Sequence, residues 1–253
     1  MLKRAIYLFI ALVLPLLSFG NDDTHKLFVK GNDYYAKAQY KEALNTYHKI
    51  LDEGYQSSVV YFNMGNANYK LDDIPSALLY YEKARKLNPG DDDINFNIRF
   101  ANLKTTDKID AVPEFFLARW WRTFILSFSI ETLSILSIVL MLVGSALLIL
   151  YFFADAVLVK KASFYAAISL FFLGLLTVFV AGRQLNYFED HREAIVFSSS
   201  VNVKSGPGER LNTLFIIHEG TKVNALETSN GWEKVRLANG NEGWIKATDV
   251  REI

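Results

Sequence analysis

No cysteine occurs among the 253 residues, which excludes a disulfide framework, a thiolate nucleophile, a zinc-thiolate site and a thioether-linked lipid anchor. Net charge is missing too: lysine plus arginine and aspartate plus glutamate both total 27. The balance holds locally, with 12 bases against 14 acids in residues 21–110 and 9 against 10 in residues 183–253. A chain with no basic excess lacks the electrostatic footprint of a nucleic-acid binder. Histidine is scarce; His25, His48, His191 and His218 show no i, i+4 pairing and no metal-ligand spacing. What the chain has in quantity is apolar sequence, unevenly spread. The 51% hydrophobic content is concentrated in runs at residues 5–19, 133–153 and 162–181, and that distribution excludes a single soluble globule.

Residues 1–20 begin with Lys3 and Arg4, continue through an apolar stretch and close on Ser18-Phe19-Gly20, the order of a secretory signal peptide. Residues 133–153 and 162–181 carry no charge, and at about 1.5 Å per residue each spans a bilayer core of about 30 Å. Residues 154–161 are too few for a domain, so the spans form a hairpin with 154–161 as a cytoplasmic turn, and the flanking parts share one side. Loop charge is ambiguous: Lys160 and Lys161 favour a cytoplasmic turn, while Lys104, Lys108, Arg119 and Arg122 precede the first span. The signal peptide decides for an inner-membrane, two-pass protein with both flanks periplasmic. Segment 111–132 reads as an amphipathic interfacial stretch, its helix starting at Pro113, with Trp120 and Trp121 at the membrane lipid interface; a buried core helix is the competing reading.

Before the spans, Gly31 recurs as Gly65, Asn32 as Asn66, Tyr35 as Tyr69, Ala43 as Ala77 and Tyr47 as Tyr81, each pair 34 residues apart. Small residues at Gly31, Ala43, Gly65 and Ala77 let the two helices within a unit approach closely, and Tyr47 and Tyr81 are expected to fill the space between units. Asp91-Asp92-Asp93 supplies helix-start chemistry for a closing helix at 92–106, whose apolar stripe is Ile94, Ile98 and Leu103. Period and pattern resemble the tetratricopeptide repeat, over a domain at 21–110 with repeats at 24–57 and 58–91. The resemblance implies a groove that binds a peptide or another protein. Members that grip a carboxylate terminus have asparagines at the places of Asn32 and Asn63, together with lysines and an arginine. Here Phe28 stands at the first lysine place and Asp93 and Asn97 stand on the third helix, so a free C-terminus is not the implied ligand. Asn32, Tyr35, Phe62, Asn63, Asn66 and Tyr69 are the groove candidates, with helix packing as their alternative role.

After a linker at 182–193, residues 194–253 change texture to short β-prone runs separated by Gly-containing turns, the pattern of a small antiparallel barrel. Asn239-Gly240 reads as a two-residue hairpin turn. Trp232, Val235, Trp244 and Ile245 supply apolar area. The stretch resembles the bacterial SH3 family, whose members bind cell-wall peptides, proteins or metal; Trp232 and Trp244 fall at places that serve either core or contact surface.

No chemistry emerges from the remaining motifs. Asp91, Asp93, Asn95 and Asn97 imitate calcium-loop spacing, yet Phe96 holds the place of the turn glycine and Asn102 that of the closing glutamate. Residues 204–208 lack the order of a phosphate loop, and no nucleophile elbow or H-E-x-x-H element occurs. The expected class is therefore a non-enzymatic multidomain membrane protein without cofactor: an α-helical tetratricopeptide array, a two-helix transmembrane hairpin and a small all-β SH3-like barrel. That order of parts resembles the BatE family of aerotolerance-operon proteins of Bacteroidetes. The resemblance implies a role in oxidative-stress resistance and partners among the other Bat membrane proteins, including those with von Willebrand factor A domains. Peptidoglycan is a second implied ligand, through the SH3-like part; nucleic acid is not.

Overall fold

A computed structural model describes residues 22–113 and 115–253. The signal peptide expected at 1–20 lies outside the described residues. Five helices open the described residues: α1 (Asp22–Ala36), α2 (Tyr40–Asp52), α3 (Ser58–Lys70), α4 (Ile74–Leu87) and α5 (Asp92–Asn102). Their ends are written locally. Asp73 caps α4 by accepting the Ser76 N–H, with a proline in the first turn, and Asp91 caps α5 by accepting from Asp93 and Ile94. The glycines of the 34-residue pattern are steric necessities: a β-carbon at Gly65 would stand 2.5 Å from Cε1 of Tyr81, and one at Gly31 2.7 Å from Cδ1 of Tyr47. Each tyrosine thus fills the space its own repeat's glycine leaves open, inside a unit and not, as expected, between units.

The same arithmetic explains where the array stops. Thirty-four residues after Gly65 stands Arg99, so the glycine that receives the Tyr47 and Tyr81 rings is not repeated. Helix α5 ends at Asn102, short of the expected 106, and the Lys108 ammonium closes it by donating to the carbonyls of Asn102 (2.6 Å), Leu103 (3.2 Å) and Thr105 (2.8 Å). Beyond it, α6 (Phe116–Ile125) begins three residues later than Pro113, with Phe115 in the cap position.

Two long helices follow, α7 (Ile130–Phe153) and α8 (Val157–Asp190), both long and apolar enough to cross a membrane. Helix α8 overruns the expected span at both ends, shortening the turn to 154–156 and absorbing most of the linker expected at 182–193. Within this unit the small residues mark close approach: a β-carbon at Gly144 would meet Phe171 at 3.2 Å and one at Gly174 would meet Met141 at 3.0 Å.

The C-terminal part is one antiparallel sheet of seven strands: β1 (Glu193–Val196), β2 (Ser200–Lys204), β3 (Thr213–His218), β4 (Lys222–Ser229), β5 (Trp232–Arg236), β6 (Glu242–Lys246) and β7 (Val250–Glu252). The spatial order is β3-β2-β6-β5-β4-β1-β7. The two-residue hairpin turn is Asn230-Gly231, where φ is +48° and +79°, joining Ser229 to its partner Trp232. At Asn239-Gly240 only the glycine has positive φ (+87°). Gly240 N–H bonds Leu237 O and Leu237 N–H bonds Asn241 O, so that connection is a longer turn with a glycine bulge rather than the expected two-residue one. Val196, Val203, Val235 and Ile245 form the sheet's core. Alternation along β6 turns Gly243 and Ile245 inward and Trp244 outward, and in β5 it turns Trp232 outward. Both tryptophans are half-buried and neither belongs to the core.

Helical array and sheet form one compact unit. Ile195 of β1 is buried in the hydrophobic cluster of the array, with Phe197 and Ile253 packed against it. The exchange is mutual, because Ile109, in the segment after α5, packs against the core of the sheet.

Candidate interaction surfaces

Helices α1, α3 and α5 present one face of the array, and asparagines tie them together. Asn32 Oδ1 accepts from the Tyr47 hydroxyl (2.7 Å) and from Asn63 Nδ2 (3.0 Å). One repeat on, Asn66 Oδ1 accepts from the Tyr81 hydroxyl (2.8 Å) and from Asn97 Nδ2 (2.9 Å). Each cluster holds a tyrosine hydroxyl that burial has made reluctant to ionise; for Tyr47 burial comes first among the causes and the pKa is pushed up to about 12. One oxygen per pair is spent on these internal bonds, leaving amide groups of Asn32, Asn63, Asn66 and Asn97 able to pair with an extended backbone. These bonds give Asn32, Asn63, Asn66 and Asn97 a packing role between neighbouring helices.

Aromatic rings continue the face. Phe62 packs against Tyr81 (5.8 Å between ring centroids), Tyr69 against Phe100 (5.6 Å), and Phe100 stacks on Phe96 (6.1 Å). Phe96 and Phe100 are 58% and 46% exposed, a large apolar surface for the last helix of an array. Lys104 crosses the Tyr69 ring at 4.6 Å while bound to Asp72. Tyr35 packs against the core of the array, edge-on to Tyr40 and near the hydroxyls of Tyr47 and Tyr81. Of the six groove candidates, Asn32 with Asn63 and Asn66 with Tyr69 and Phe62 fall on this face; Phe96, Asn97 and Phe100 complete it, and adding 34 to Phe62, Asn63 and Asn66 would have named them.

On the sheet, a cleft of about 320 Å³ is lined by Ser198, Asn202, Lys204, Glu209, Trp232 and Lys246, among others. Lys246 is paired with Glu209 at 2.5 Å, and the Lys204 ammonium donates to Leu211 O and Thr213 Oγ1. An aromatic wall beside amide, hydroxyl and paired charges suits a polar, uncharged or zwitterionic ligand. Trp232 lines it and Trp244 does not.

Between array and sheet lies a seam with no trace in the motif analysis. Glu82, 4% exposed, receives Arg85 at 2.6 Å and Lys222 at 3.2 Å, while Glu193 takes Lys222 at 2.6 Å and Arg85 at 3.7 Å. Two acids and two bases thus neutralise one another where α4 meets β1 and β4. A second clasp centres on Asp107, whose carboxylate accepts the His218 N–H (2.7 Å), the Thr221 hydroxyl (2.7 Å) and faces His218 Nδ1 (2.9 Å). Burial acts to raise this carboxyl, but the bonds from Thr221 and His218 outweigh it and hold it below the ordinary aspartate value. Gly220 in the clasped turn has φ +82°, and a β-carbon there would lie 2.8 Å from Thr105 Cγ2. The strap continues to Val112, whose N–H bonds Ala238 O at 3.0 Å. Among the described residues no cluster of three or more histidines, aspartates or glutamates has metal-holding geometry.

Comparison with known proteins agrees with this geometry. Residues 58–91 match the tetratricopeptide repeat family and residues 199–251 match the bacterial SH3 domain family. No curated protein matches the chain. Both families are interaction modules, and neither match is to an enzyme. The chain is thus a helical tetratricopeptide-like array, two apolar helices long enough to span a membrane, and a C-terminal antiparallel sheet of the bacterial SH3 type.

Proposed function

We propose that this chain is a non-enzymatic inner-membrane adaptor that presents its helical array and its SH3-type sheet in the periplasm as one docking body, within a Bat-type aerotolerance complex. The observation that carries the reading is the seam. Ile195 seated in the array's core, Ile109 in the sheet's core and the buried Glu82 cluster hold the two modules together. Meanwhile Phe96 and Phe100 on the asparagine and aromatic face of α1, α3 and α5 stay exposed among the described residues. Two modules packed into one body share one side of the membrane, which agrees with the hairpin topology. Holding both surfaces on one anchor also raises their effective concentration toward a shared partner.

Crosslinking in cells tests it. The adaptor reading expects von Willebrand-type membrane partners on the wild-type chain, and fewer on Phe96→Ser/Phe100→Ser. Both side chains are exposed, so the variant keeps its fold and its thermal transition while the yield falls. An unchanged partner set would overturn the groove's role.

The cleft beside Trp232 favours a second reading, a cell-envelope sensor that binds peptidoglycan through the sheet. It expects the detergent-solubilised full chain to sediment with purified cell wall and Trp232→Ala to stay in solution. Wild-type protein left in the supernatant would remove this reading and leave the adaptor untouched.

A further inference from the structure

Helix α6 carries an apolar surface that stays exposed among the described residues. At about 100° per residue, Phe116, Trp120, Phe124, Leu117, Trp121, Ile125 and Ala118 fall within an arc of roughly 200°, while Arg122, Arg119 and Thr123 share the remainder. Only Ile125 of that arc is buried; Phe116 is 60% exposed and Trp120 65%. A core helix hides such a stripe, so the core-helix alternative for Trp120 and Trp121 does not describe this segment. The rings instead cluster on one another, with Trp120 and Trp121 stacked on Phe124 at 6.1 and 5.8 Å.

Three observations choose the occupant. Only residues 126–129 separate α6 from the long apolar helix α7, so the chain enters its first candidate span within one turn of leaving α6. The polar arc carries Arg119 and Arg122 and no acid lies between Phe116 and Ile125, which complements anionic headgroups; Arg122 also bonds the Tyr187 hydroxyl. The apolar arc is mainly tryptophan and phenylalanine, with amphipathic tryptophan suited to the boundary between headgroups and acyl chains. We infer that α6 lies in the headgroup layer of the bilayer with Leu117, Trp120 and Phe124 directed into lipid, so that the docking body is held at the membrane surface by this helix as well as by its spans. The inference is independent of what binds the helical array.

The absence of cysteine makes the test clean, because single-cysteine variants label without background. Full-length chain is placed in nanodiscs containing phosphatidylglycerol and spin-labelled at Leu117→Cys, Trp120→Cys or Phe124→Cys, with Thr123→Cys on the polar arc and Gln39→Cys as the aqueous reference. Collisions with oxygen should rise, and collisions with a water-soluble nickel chelate should fall several-fold, at the first three positions relative to the other two. Nickel accessibility at position 120 equal to that at position 39 would overturn the inference in favour of a solvated helix. Exclusion of both reagents would overturn it in favour of a second copy or another protein. Native fluorescence supplies a measurement without labels: brominated lipid should quench wild-type tryptophan emission, and the quenched component should vanish in Trp120→Phe/Trp121→Phe. Identical quenching in the two proteins would also sink it.

Discussion

Asp107→Asn probes the clasp between strap and sheet with almost no change in shape. The wild-type carboxylate meets two donors at 2.7 Å and a third at 2.9 Å with its side chain only 17% exposed, so these bonds are poorly compensated by water. A hydrogen bond to a charged group contributes roughly 1.5–3 kcal/mol. The amide oxygen can keep the His218 N–H and Thr221 hydroxyl, while its NH2 replaces the charged oxygen facing His218 Nδ1. All three contacts lose the carboxylate charge, so the loss should be about 2–3 kcal/mol, or about 30- to 150-fold in the local opening equilibrium. Amide hydrogen exchange on the full chain in nanodiscs reads that equilibrium. The His218 and Val112 amides, bonded to Asp107 and Ala238, should exchange faster by this factor while amides of α3 hardly change. The pH dependence follows from the depressed pKa of Asp107. Its stabilisation is complete above the unfolded carboxylate value of about 3.9 and is lost as pH falls through the lower folded value. The gap between wild type and variant should therefore close in acid, as the Asp107 carboxyl takes up its proton. Unchanged exchange at both amides at neutral pH would refute the reasoning, as would a gap that persists in full below the folded value of Asp107.

Further substitutions address the other contacts. Gly65→Ala forces a β-carbon to within 2.5 Å of the Tyr81 ring and should cost about 1–3 kcal/mol, visible as a lowered thermal transition that Gly54→Ala, with nothing within 4 Å but a φ of +84°, reproduces only through backbone strain. Glu82→Ala leaves Arg85 and Lys222 to share Glu193 and should destabilise the unit by about 3 kcal/mol; since Lys222 and Arg85 are partly exposed, pairing it with Lys222→Met should recover part of the loss in a double-mutant cycle. Asn66→Leu strands the Tyr81 hydroxyl and Asn97 amide, and should lower the denaturation midpoint by the equivalent of about 1–3 kcal/mol. Residues 194–253 expressed alone should lack a cooperative transition, because Ile195 would lose the array core it occupies and the sheet would lose Ile109.

Local patterns made much of this legible. A 34-residue recurrence names helix pairs because its small residues let two helices approach, but that each tyrosine packs on its own repeat's glycine, Gly31–Tyr47 and Gly65–Tyr81, was decided by the fold. Uncharged runs announce long apolar helices by length alone, and Asn-Gly pairs announce turns, though alternation in β4 and β5 gave the tight turn to Asn230-Gly231 rather than to Asn239-Gly240. The asparagine candidates were legible as positions, but their mutual bonds, which join side chains 31 residues apart, were not.

Residue order along the chain dictates which segments become helix, span and strand, since periodicity, charge and turn chemistry act over a few neighbours. Which surfaces stay open is decided otherwise. Whether Trp120 is exposed and whether Trp232 lines a cleft are decided by the tertiary fold, and that Glu82 finds Lys222 and Asp107 finds His218 across 140 and 111 residues depends on the docking of sheet against array. Burial and charge pairing are properties of the assembled body, because desolvation is felt only when the second surface arrives.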